Sequence, residues 1–145
     1  MSEYDVRVAG FADLDPRTAY LLWQLRQDVF VVEQECPYPD LDGRDLEPGT
    51  RHLWVAEDGR PVGYLRMLED GAGWRIGRVL VAATHRGRGI AESLMRRAVE
   101  LVGEAPSRLD AQSYLTGWYA RFGYVASGPE FLEDGIPHVP MRRDG

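Results

Sequence analysis

The sequence predicts a single α/β domain over residues 1–145, and three observations carry that prediction. Apolar runs with the alternating or β-branched pattern of strands are interleaved with stretches whose apolar residues recur at helical spacing. A glycine-rich turn joins one of these strands directly to an amphipathic helix. A length of 145 residues is enough to bury one core and leaves no room for a second domain.

The chain is expected to begin with a strand and a helix. Residues 4–9 alternate apolar and polar side chains, as a half-buried strand does. Asp15 followed by Pro16 is a typical helix start, and apolar residues recur with largely helical spacing over residues 19–30. Prolines and glycines then interrupt regular structure over residues 36–49. This segment is acidic but lacks the ligand spacing of a calcium loop, so it is interpreted as a solvated loop or a rim that attracts a cationic amine.

The middle of the chain predicts an antiparallel meander of three strands. Residues 51–57 and 61–68 have strand patterns and are joined by Asp58-Gly59, a strong hairpin signal. A glycine-containing turn over residues 70–73 leads to a third strand at about residues 74–81.

The second half of the chain predicts two more helices and three more strands. The apolar stripe of the first helix ends near Gly103 and consists of Ile90, Leu94, Ala98, Leu101 and Val102. A short strand at 108–112, a short helix at 116–122 and strands at 124–127 and 139–142 complete the order.

Composition excludes several classes of protein. The formal net charge of −6 argues against nonspecific nucleic-acid binding, and no apolar run approaches the roughly 18 residues that a membrane span needs. The acidic N-terminus does not resemble a signal peptide, so we expect a cytoplasmic protein. One cysteine, Cys36, and three scattered histidines give no ligand spacing, so no metal site is predicted.

The glycine-rich turn is the most informative motif. Gly87 and Gly89 leave no side chains between the backbone and a ligand, so successive N–H groups can converge on an anion at the start of the following helix. The chain contains no lysine, which excludes a Walker A loop. A dinucleotide-binding fingerprint fits poorly because Glu92 stands where a small residue is required. Three basic residues in one turn, His85, Arg86 and Arg88, also favour a bound anion.

The pattern Arg-x-x-Gly-x-Ala over residues 86–91 resembles the coenzyme A pyrophosphate loop of the GNAT superfamily of N-acetyltransferases. The order of elements also resembles the GNAT, or acyl-CoA N-acyltransferase, fold, which implies a central mixed, mostly antiparallel sheet flanked by helices. Residues 26–43, 110–112 and 133–138 are similar to the ElaA-like branch. The resemblance implies acetyl-CoA as cosubstrate, held by Val79, Leu80, Val81, Arg86, Gly87, Arg88, Gly89, Ile90 and Ala91.

The same resemblance suggests the catalytic residues. Tyr119 matches the family's Tyr-x-x-x-Gly-[Phe/Tyr] segment and is the candidate general acid for the leaving thiolate, with Tyr114 as a competitor. Many GNAT enzymes are thought to use a glutamate on the strand before the loop, whereas this strand offers Arg75, Gly77 and Arg78. The candidate bases are therefore Glu33, Glu133 and His138, which the ElaA-like segments should bring to the acceptor side.

Two further expectations concern the arginines on that strand and the cysteine. Because Arg75 and Arg78 are three residues apart on a strand, they should point to opposite faces. If Arg78 reaches the acceptor, the acceptor carries an anionic group as well as its amine. Cys36 as the nucleophile of a ping-pong mechanism is the less favoured alternative to a small apolar filler.

The sequence therefore predicts an N-acetyltransferase that moves the acetyl group of acetyl-CoA to a primary amine by direct attack in a ternary complex. The acceptor is expected to be a small molecule or a peptide, and the protein a monomer or homodimer. The alternatives are a noncatalytic acyl-CoA-binding module of the same fold and an interaction domain that binds no ligand.

Overall fold

The computed structural model describes residues 4–145. It confirms the α/β prediction, with one eight-stranded sheet and three α-helices in the described part of the chain. The strands are β1 (Arg7–Ala9), β2 (Arg51–Glu57), β3 (Arg60–Asp70), β4 (Gly73–Val81), β5 (Pro106–Gln112), β6 (Val125–Ala126), β7 (Phe131–Glu133) and β8 (Ile136–Asp144). The helices are α1 (Pro16–Arg26), α2 (Ile90–Val102) and α3 (Thr116–Ala120).

The sheet is mixed and mostly antiparallel, as predicted. Its strand order is β1-β2-β3-β4-β5-β8-β6, and β7 pairs with β8 beside that path. The contact between β4 and β5 is parallel, whereas every other strand pair within residues 4–145 is antiparallel. The parallel pair requires a crossover connection, and α2 supplies it.

Two apolar layers cover the two faces of the sheet. On one face, α2 packs through Ile90 and Leu94 against a cluster that includes Leu65 and Ile76. On the other face, α1 packs Leu22 and Leu25 into a second cluster, whose strand members are Trp54, Tyr64 and Leu80. The helical spacing of the apolar residues in α1 and α2 therefore marks the faces that are buried against the sheet.

The start of α1 agrees with the predicted cap. The Asp15 carboxylate accepts the backbone N–H of Thr18 over 2.8 Å, and Pro16 is the first helical residue. The end of this helix was predicted incompletely, because the chain continues beyond Arg26 as seven residues of π-helix, Gln27–Glu33. The segment is only seven residues long, so the apolar periodicity of the sequence did not distinguish it from a continued α-helix.

A β-bulge interrupts β4 at Arg78. Arg66 of β3 pairs with Gly77, while Tyr64 pairs with Leu80, so β4 contains one extra residue across this interval. Arg78 has a φ of 55°, in the left-handed region that non-glycine residues rarely adopt.

The bulge overturns the prediction that Arg75 and Arg78 point to opposite faces. Ile76 and Val79 contact the same apolar cluster although they are three residues apart, because the extra residue shifts the alternation. Arg75, which precedes Ile76, and Arg78, which precedes Val79, consequently both lie on the face covered by α1. Strand alternation alone gives the wrong answer when a bulge is present.

A cleft opens between β4 and β5. Their register contains only the pairs Trp74 with Ser107 and Arg75 with Arg108. Beyond these pairs β4 continues to Val81 and β5 to Gln112 without pairing to each other. The backbone groups on the facing edges of the two strands are therefore left for another partner.

Candidate functional site

The glycine-rich turn lies at the end of β4 and at the start of α2. Gly87 and Gly89 have φ values of 79° and 82°, which a residue with a side chain adopts only at a cost. A Cβ atom added to either glycine would meet nothing within 4 Å. The turn is therefore constrained by its backbone conformation and has open space above it.

The amides of this turn are available to a ligand. No backbone N–H from Gly87 to Glu92 donates to a protein acceptor within the described chain, and α2 has no side-chain cap. The first bonded amide is that of Ser93, which donates to the Gly89 carbonyl over 3.1 Å. Unpaired amides at the positive end of a 13-residue helix form a favourable environment for an anion.

Two of the three basic residues in the turn already have carboxylate partners. Arg86 forms a two-pronged ion pair with Glu33, and His85 Nε2 lies 2.9 Å from a carboxylate oxygen of Glu57. The carboxylates already neutralise these two residues, so the basic charge of the turn does not by itself favour a bound anion. The open amides and the glycine conformation are the features that favour one.

The strand residues predicted to hold the thioester lie along the open edge of β4. Leu80 is buried against α1, while Val79 and Val81 are partly buried on the α2 side. Their side chains thus serve the core, and the backbone edge facing β5 has no strand partner. All three residues therefore lie beside the cleft.

Tyr119 and Tyr114 differ sharply in exposure. Tyr119, on α3, is 7% exposed, and its hydroxyl has no hydrogen-bond partner among residues 4–145. Burial raises the pKa of Tyr119 above its ordinary value, and the neighbouring Tyr114 and Tyr124 add to this effect. The phenol therefore remains protonated and able to donate a hydrogen bond. Tyr114, by contrast, is 80% exposed.

Glu133 and His138 are brought together by a hairpin that the sequence analysis missed. Strands β7 and β8 pair Glu133 with Ile136 across a tight turn, and Phe131 with His138. The His138 Nε2 atom lies 3.8 Å from a Glu133 carboxylate oxygen, and its ring stacks on Phe131 at 5.8 Å. The turn sequence Asp134-Gly135, with φ values of 51° and 79°, was the signal that could have revealed this hairpin.

His138 lies at the β5 side of the cleft. It pairs with Gln112, the last residue of β5. Val139 and Met141 contact the apolar cluster under α2, so by alternation His138 points to the opposite face, which is also the face of Arg75 and Arg78.

The tautomer of the His138 ring follows from its hydrogen bond. The Nδ1 atom is 2.7 Å from the Ile136 carbonyl oxygen, and because a carbonyl can only accept, Nδ1 carries the proton. The lone pair of the neutral ring is consequently on Nε2, which has no hydrogen-bond partner in the described residues.

Two of the ElaA-like segments contact each other in the structure. The Cys36 sulfur lies 3.9 Å from the Asp134 carbonyl oxygen, so the segment after α1 does contact the β7–β8 turn. Glu33, however, is bonded to Arg86, and this hydrogen bond lowers the pKa of the Glu33 carboxyl below its ordinary value. Glu33 is therefore a weaker base than an unpaired carboxylate.

Part of the acidic loop is buried, although it was predicted to be solvated or to form a rim for cations. Its Asp40 and Asp45 are 7% and 5% exposed, and they share the guanidinium of fully buried Arg26 at 3.0 and 2.7 Å. Arg66 bonds Asp42 and Asp45, and Arg78 bonds Asp40. Three arginines thus neutralise three aspartates beneath the loop, a group of six residues that we call the Arg–Asp network: Arg26, Asp40, Asp42, Asp45, Arg66 and Arg78.

Asp42 shows how strong the field in the network is. Partial burial pushes the pKa of Asp42 upward, but the hydrogen bonds from Arg66 and the Arg44 amide overcome this effect and hold the pKa at about 2. The sequence signal for the network was Arg26, a charged residue placed within the apolar stripe of a helix.

The network also removes the support for an anionic acceptor at Arg78. Its Nε donates to Asp40 Oδ1 over 2.8 Å, and its Nη2 donates to the Asp40 carbonyl over 3.0 Å. The Arg78 fork therefore serves the protein's own carboxylates. Arg75, in turn, is paired with Asp110 of β5.

Two further features bear on the class of protein. Within the described residues, no group of three histidine, cysteine, aspartate or glutamate side chains is arranged to hold a metal ion. None of the helices found in residues 4–145 combines the length and the apolar character that crossing a bilayer demands.

Comparison with known proteins places these features in a family. Residues 29–144 match the family described as Acetyltransferase (GNAT) domain. The chain is 52% identical over 138 residues to the UPF0039 protein Rv2851c of Mycobacterium tuberculosis, covering 92% of this chain and 88% of that relative. It is 37% identical over 140 residues to the protein ElaA of Escherichia coli, covering 92% of both chains.

Solved structures give the same result. A crystal structure of an acyl-CoA N-acyltransferase from Pseudomonas aeruginosa matches with a TM-score of 0.90 at 42% identity, covering 96% of this chain and 99% of that one. Escherichia coli ElaA matches with a TM-score of 0.91 at 35% identity, covering 97% and 99%. The predicted fold and the predicted ElaA-like branch are both confirmed. The chain belongs to the GNAT acetyltransferase family, with the proteins named ElaA among its relatives.

Proposed function

We propose that this protein is an acetyl-CoA-dependent N-acetyltransferase that acts on a primary amine by direct attack in a ternary complex. The observation that carries the proposal is the row of unpaired amides from Gly87 to Glu92 at the mouth of the cleft between β4 and β5. In this proposal residues 86–91 bind the pyrophosphate of CoA, and the open edge of residues 79–81 binds the arm that carries the thioester.

The reaction itself needs few groups from the protein. The amine nitrogen attacks the thioester carbonyl, a C–N bond forms, and the C–S bond breaks to release a thiolate. A backbone N–H on the open edge of β4 would stabilise the negative charge that develops on the carbonyl oxygen. The attacking amine must lose a proton, and the thiolate must gain one.

His138 is the base that the geometry supports best. Its Nε2 carries the lone pair, because Nδ1 donates to the Ile136 carbonyl. Glu133, 3.8 Å from Nε2, would stabilise the ring once it has taken the proton. His138 and Glu133 would thus work as a pair at the β5 side of the cleft, and Glu33 is not needed as a base.

Tyr119 is the proposed donor of the proton to the thiolate. The Tyr119 side chain is largely buried, and its hydroxyl has no competing hydrogen-bond partner among the described residues. Because the pKa of Tyr119 is raised, its acidity alone contributes little, and the position of the hydroxyl must supply most of the effect. The exposed Tyr114 provides a matched control.

Turnover with a panel of primary amines tests the proposal, with acetyl-CoA as donor and free thiol as the readout. We expect thiol release that depends on the amine, a loss of kcat of about 100-fold in Tyr119→Phe and His138→Gln, and little change in Tyr114→Phe. A double-reciprocal pattern of intersecting lines would support the ternary complex. Parallel lines would instead support an acetyl-enzyme, for which Cys36→Ser is the direct check.

A noncatalytic acyl-CoA-binding module is the second candidate, and one observation favours it. The strand before the loop has no carboxylate and presents Arg75, Gly77 and Arg78 in its central positions. CoA binding without turnover on any amine, and without any effect of Tyr119→Phe, would select this alternative.

A further inference from the structure

The guanidinium of the first residue in the proposed pyrophosphate loop is already held by a carboxylate. Arg86 Nη1 donates to Glu33 Oε2 over 2.5 Å, and Nη2 donates to Glu33 Oε1 over 2.8 Å. This parallel, two-pronged arrangement is the one that arginine also forms with phosphate. The two carboxylate oxygens of Glu33 therefore occupy the positions on Arg86 that two phosphate oxygens would take.

The position of Arg86 is fixed independently of Glu33. Its Nε donates to the Val81 carbonyl, the last residue of β4, over 3.1 Å. The guanidinium is thereby tied to the end of β4, and Arg86 directly precedes the open amides that begin at Gly87. A ligand phosphate on those amides and the Glu33 carboxylate would compete for one cation.

Glu33 lies on an element from which its side chain can move away from Arg86. It is the last residue of the π-helical segment Gln27–Glu33, a rare type of helix that occurs mostly as single turns. The ion pair lies at the surface, with 46% of the Arg86 side chain and 41% of the Glu33 side chain exposed. Exchange of this carboxylate for a better anion requires no rearrangement of the core.

We propose that Glu33 is an internal competitor for CoA: it occupies the Arg86 fork when the loop is empty and is displaced when the pyrophosphate binds. This inference rests on the proposed function, because it assigns the same loop to CoA. It adds that Glu33, a carboxylate of the protein itself, makes CoA bind more weakly than it would if Arg86 had no partner. Binding of CoA also releases the end of the segment Gln27–Glu33 from the loop.

The experiment measures CoA affinity by titration calorimetry for four proteins. These are the wild type, Glu33→Gln, Arg86→Gln and the double variant. We expect Glu33→Gln to bind CoA about two to five times more tightly, the range that an exposed ion pair contributes when it must be broken. We expect Arg86→Gln to bind more weakly than the wild type, and the second substitution to bring no further gain in that background.

Glu35→Gln is the matched control for long-range charge. Glu35 is exposed, lies two residues from Glu33 and forms no ion pair within the described chain. Removing its charge measures how much any nearby carboxylate weakens the binding of a polyanion. The gain from Glu33→Gln must exceed the gain from Glu35→Gln.

The outcomes separate this inference from the proposed function. If Arg86→Gln weakens CoA binding while Glu33→Gln matches Glu35→Gln or binds more weakly than the wild type, the competitor role is wrong and the CoA site stands. If Glu33→Gln gains as much in the Arg86→Gln background as in the wild type, the competition is not for Arg86 and the inference is again overturned. If no variant binds CoA, the proposed function and this inference both fail.

Discussion

Arg78 Nε donates to Asp40 Oδ1 over 2.8 Å, which joins the bulged residue of β4 to a loop 38 residues earlier in the chain. The last pair between β4 and β5 is Arg75 with Arg108. The bulge at Arg78 lies beyond this pair, where β4 no longer pairs with β5. The Arg–Asp network therefore supports the strand conformation next to the cleft. It links the loop that follows α1 to the edge on which the thioester is proposed to lie.

Substitution at Arg78 should distinguish the ion pairs from the backbone strain. Arg78→Ala and Arg78→Gly both lose the bonds to Asp40. Only alanine is strained by a φ near 55°, because glycine adopts this conformation freely. We expect the free energy of unfolding of Arg78→Ala to be about 1 kcal/mol below that of Arg78→Gly. Denaturant titration measures the difference.

Arg75 provides the control for this comparison because it lies in the regular part of β4, where β4 pairs with β5. In a strand, glycine is less stable than alanine, so Arg75→Gly should be the less stable of the two by about 0.5–1 kcal/mol. The same order at both positions would mean that the left-handed conformation of Arg78 contributes no strain.

Arg26 is expected to be essential for stability. Its side chain is fully buried and bonds both Asp40 and Asp45, so Arg26→Leu would leave two buried carboxylates without this partner. We expect a loss of about 3–5 kcal/mol in the free energy of unfolding. Arg44→Leu is the comparison, because Arg44 forms an exposed pair with Glu47 and should lose less than about 1 kcal/mol. Comparable losses in the two variants would contradict the importance of the network.

His52 should make stability depend on pH in the mildly acidic range. Burial lowers the pKa of His52 below its ordinary value of 6.5, and its ring lies between the Tyr64 hydroxyl at 2.5 Å and the Asp45 carbonyl at 3.2 Å. As the pH falls through 6.5, the unfolded chain takes up a proton that the folded protein does not. The free energy of unfolding should therefore decrease as the pH decreases, by up to about 1.4 kcal/mol per pH unit.

His52→Gln tests the origin of this slope. Glutamine can keep one donor and one acceptor but does not titrate, so the stability of the variant should depend less on pH between 6.5 and 5.5. Thermal or denaturant unfolding at a series of pH values gives both slopes. An unchanged slope in the variant would assign the effect to another group.

Gly63 should be intolerant of a side chain because α2 passes directly over it. A Cβ atom at this position would lie 2.4 Å from Cγ2 of Ile90, the first residue of α2. We expect Gly63→Ala to cost about 1–3 kcal/mol of stability and to weaken CoA binding, since it displaces the start of the helix that presents the amides. Gly77→Ala is the control, because nothing lies within 4 Å of its added Cβ.

Much of the fold could be predicted from local patterns. Strand patterns on either side of Asp58-Gly59 identified β2, β3 and their hairpin, and Asp15-Pro16 identified the start of α1. These signals are local because a strand, a turn or a cap depends on residues close in sequence. The family came from a motif, the glycine-rich turn, together with the order of the elements and the ElaA-like segments.

The features that were missed depend on contacts between distant residues. The bulge at Arg78 depends on the register with β3. The acidic loop was predicted to be solvated because the partners of its aspartates are distant in sequence. Arg26 is 14 residues from Asp40, and Arg66 is 24 residues from Asp42. A pattern of single residues does not show which charge neutralises which, and the same reason hid the pair between Glu33 and Arg86.

A crystal structure of the protein in complex with CoA would show whether the glycine-rich turn binds the pyrophosphate. We expect pyrophosphate oxygens within about 3 Å of backbone amides between Gly87 and Glu92, with the arm that carries the thiol in the cleft between β4 and β5. A complex in which CoA binds elsewhere, while these amides face solvent or protein, would contradict the claim.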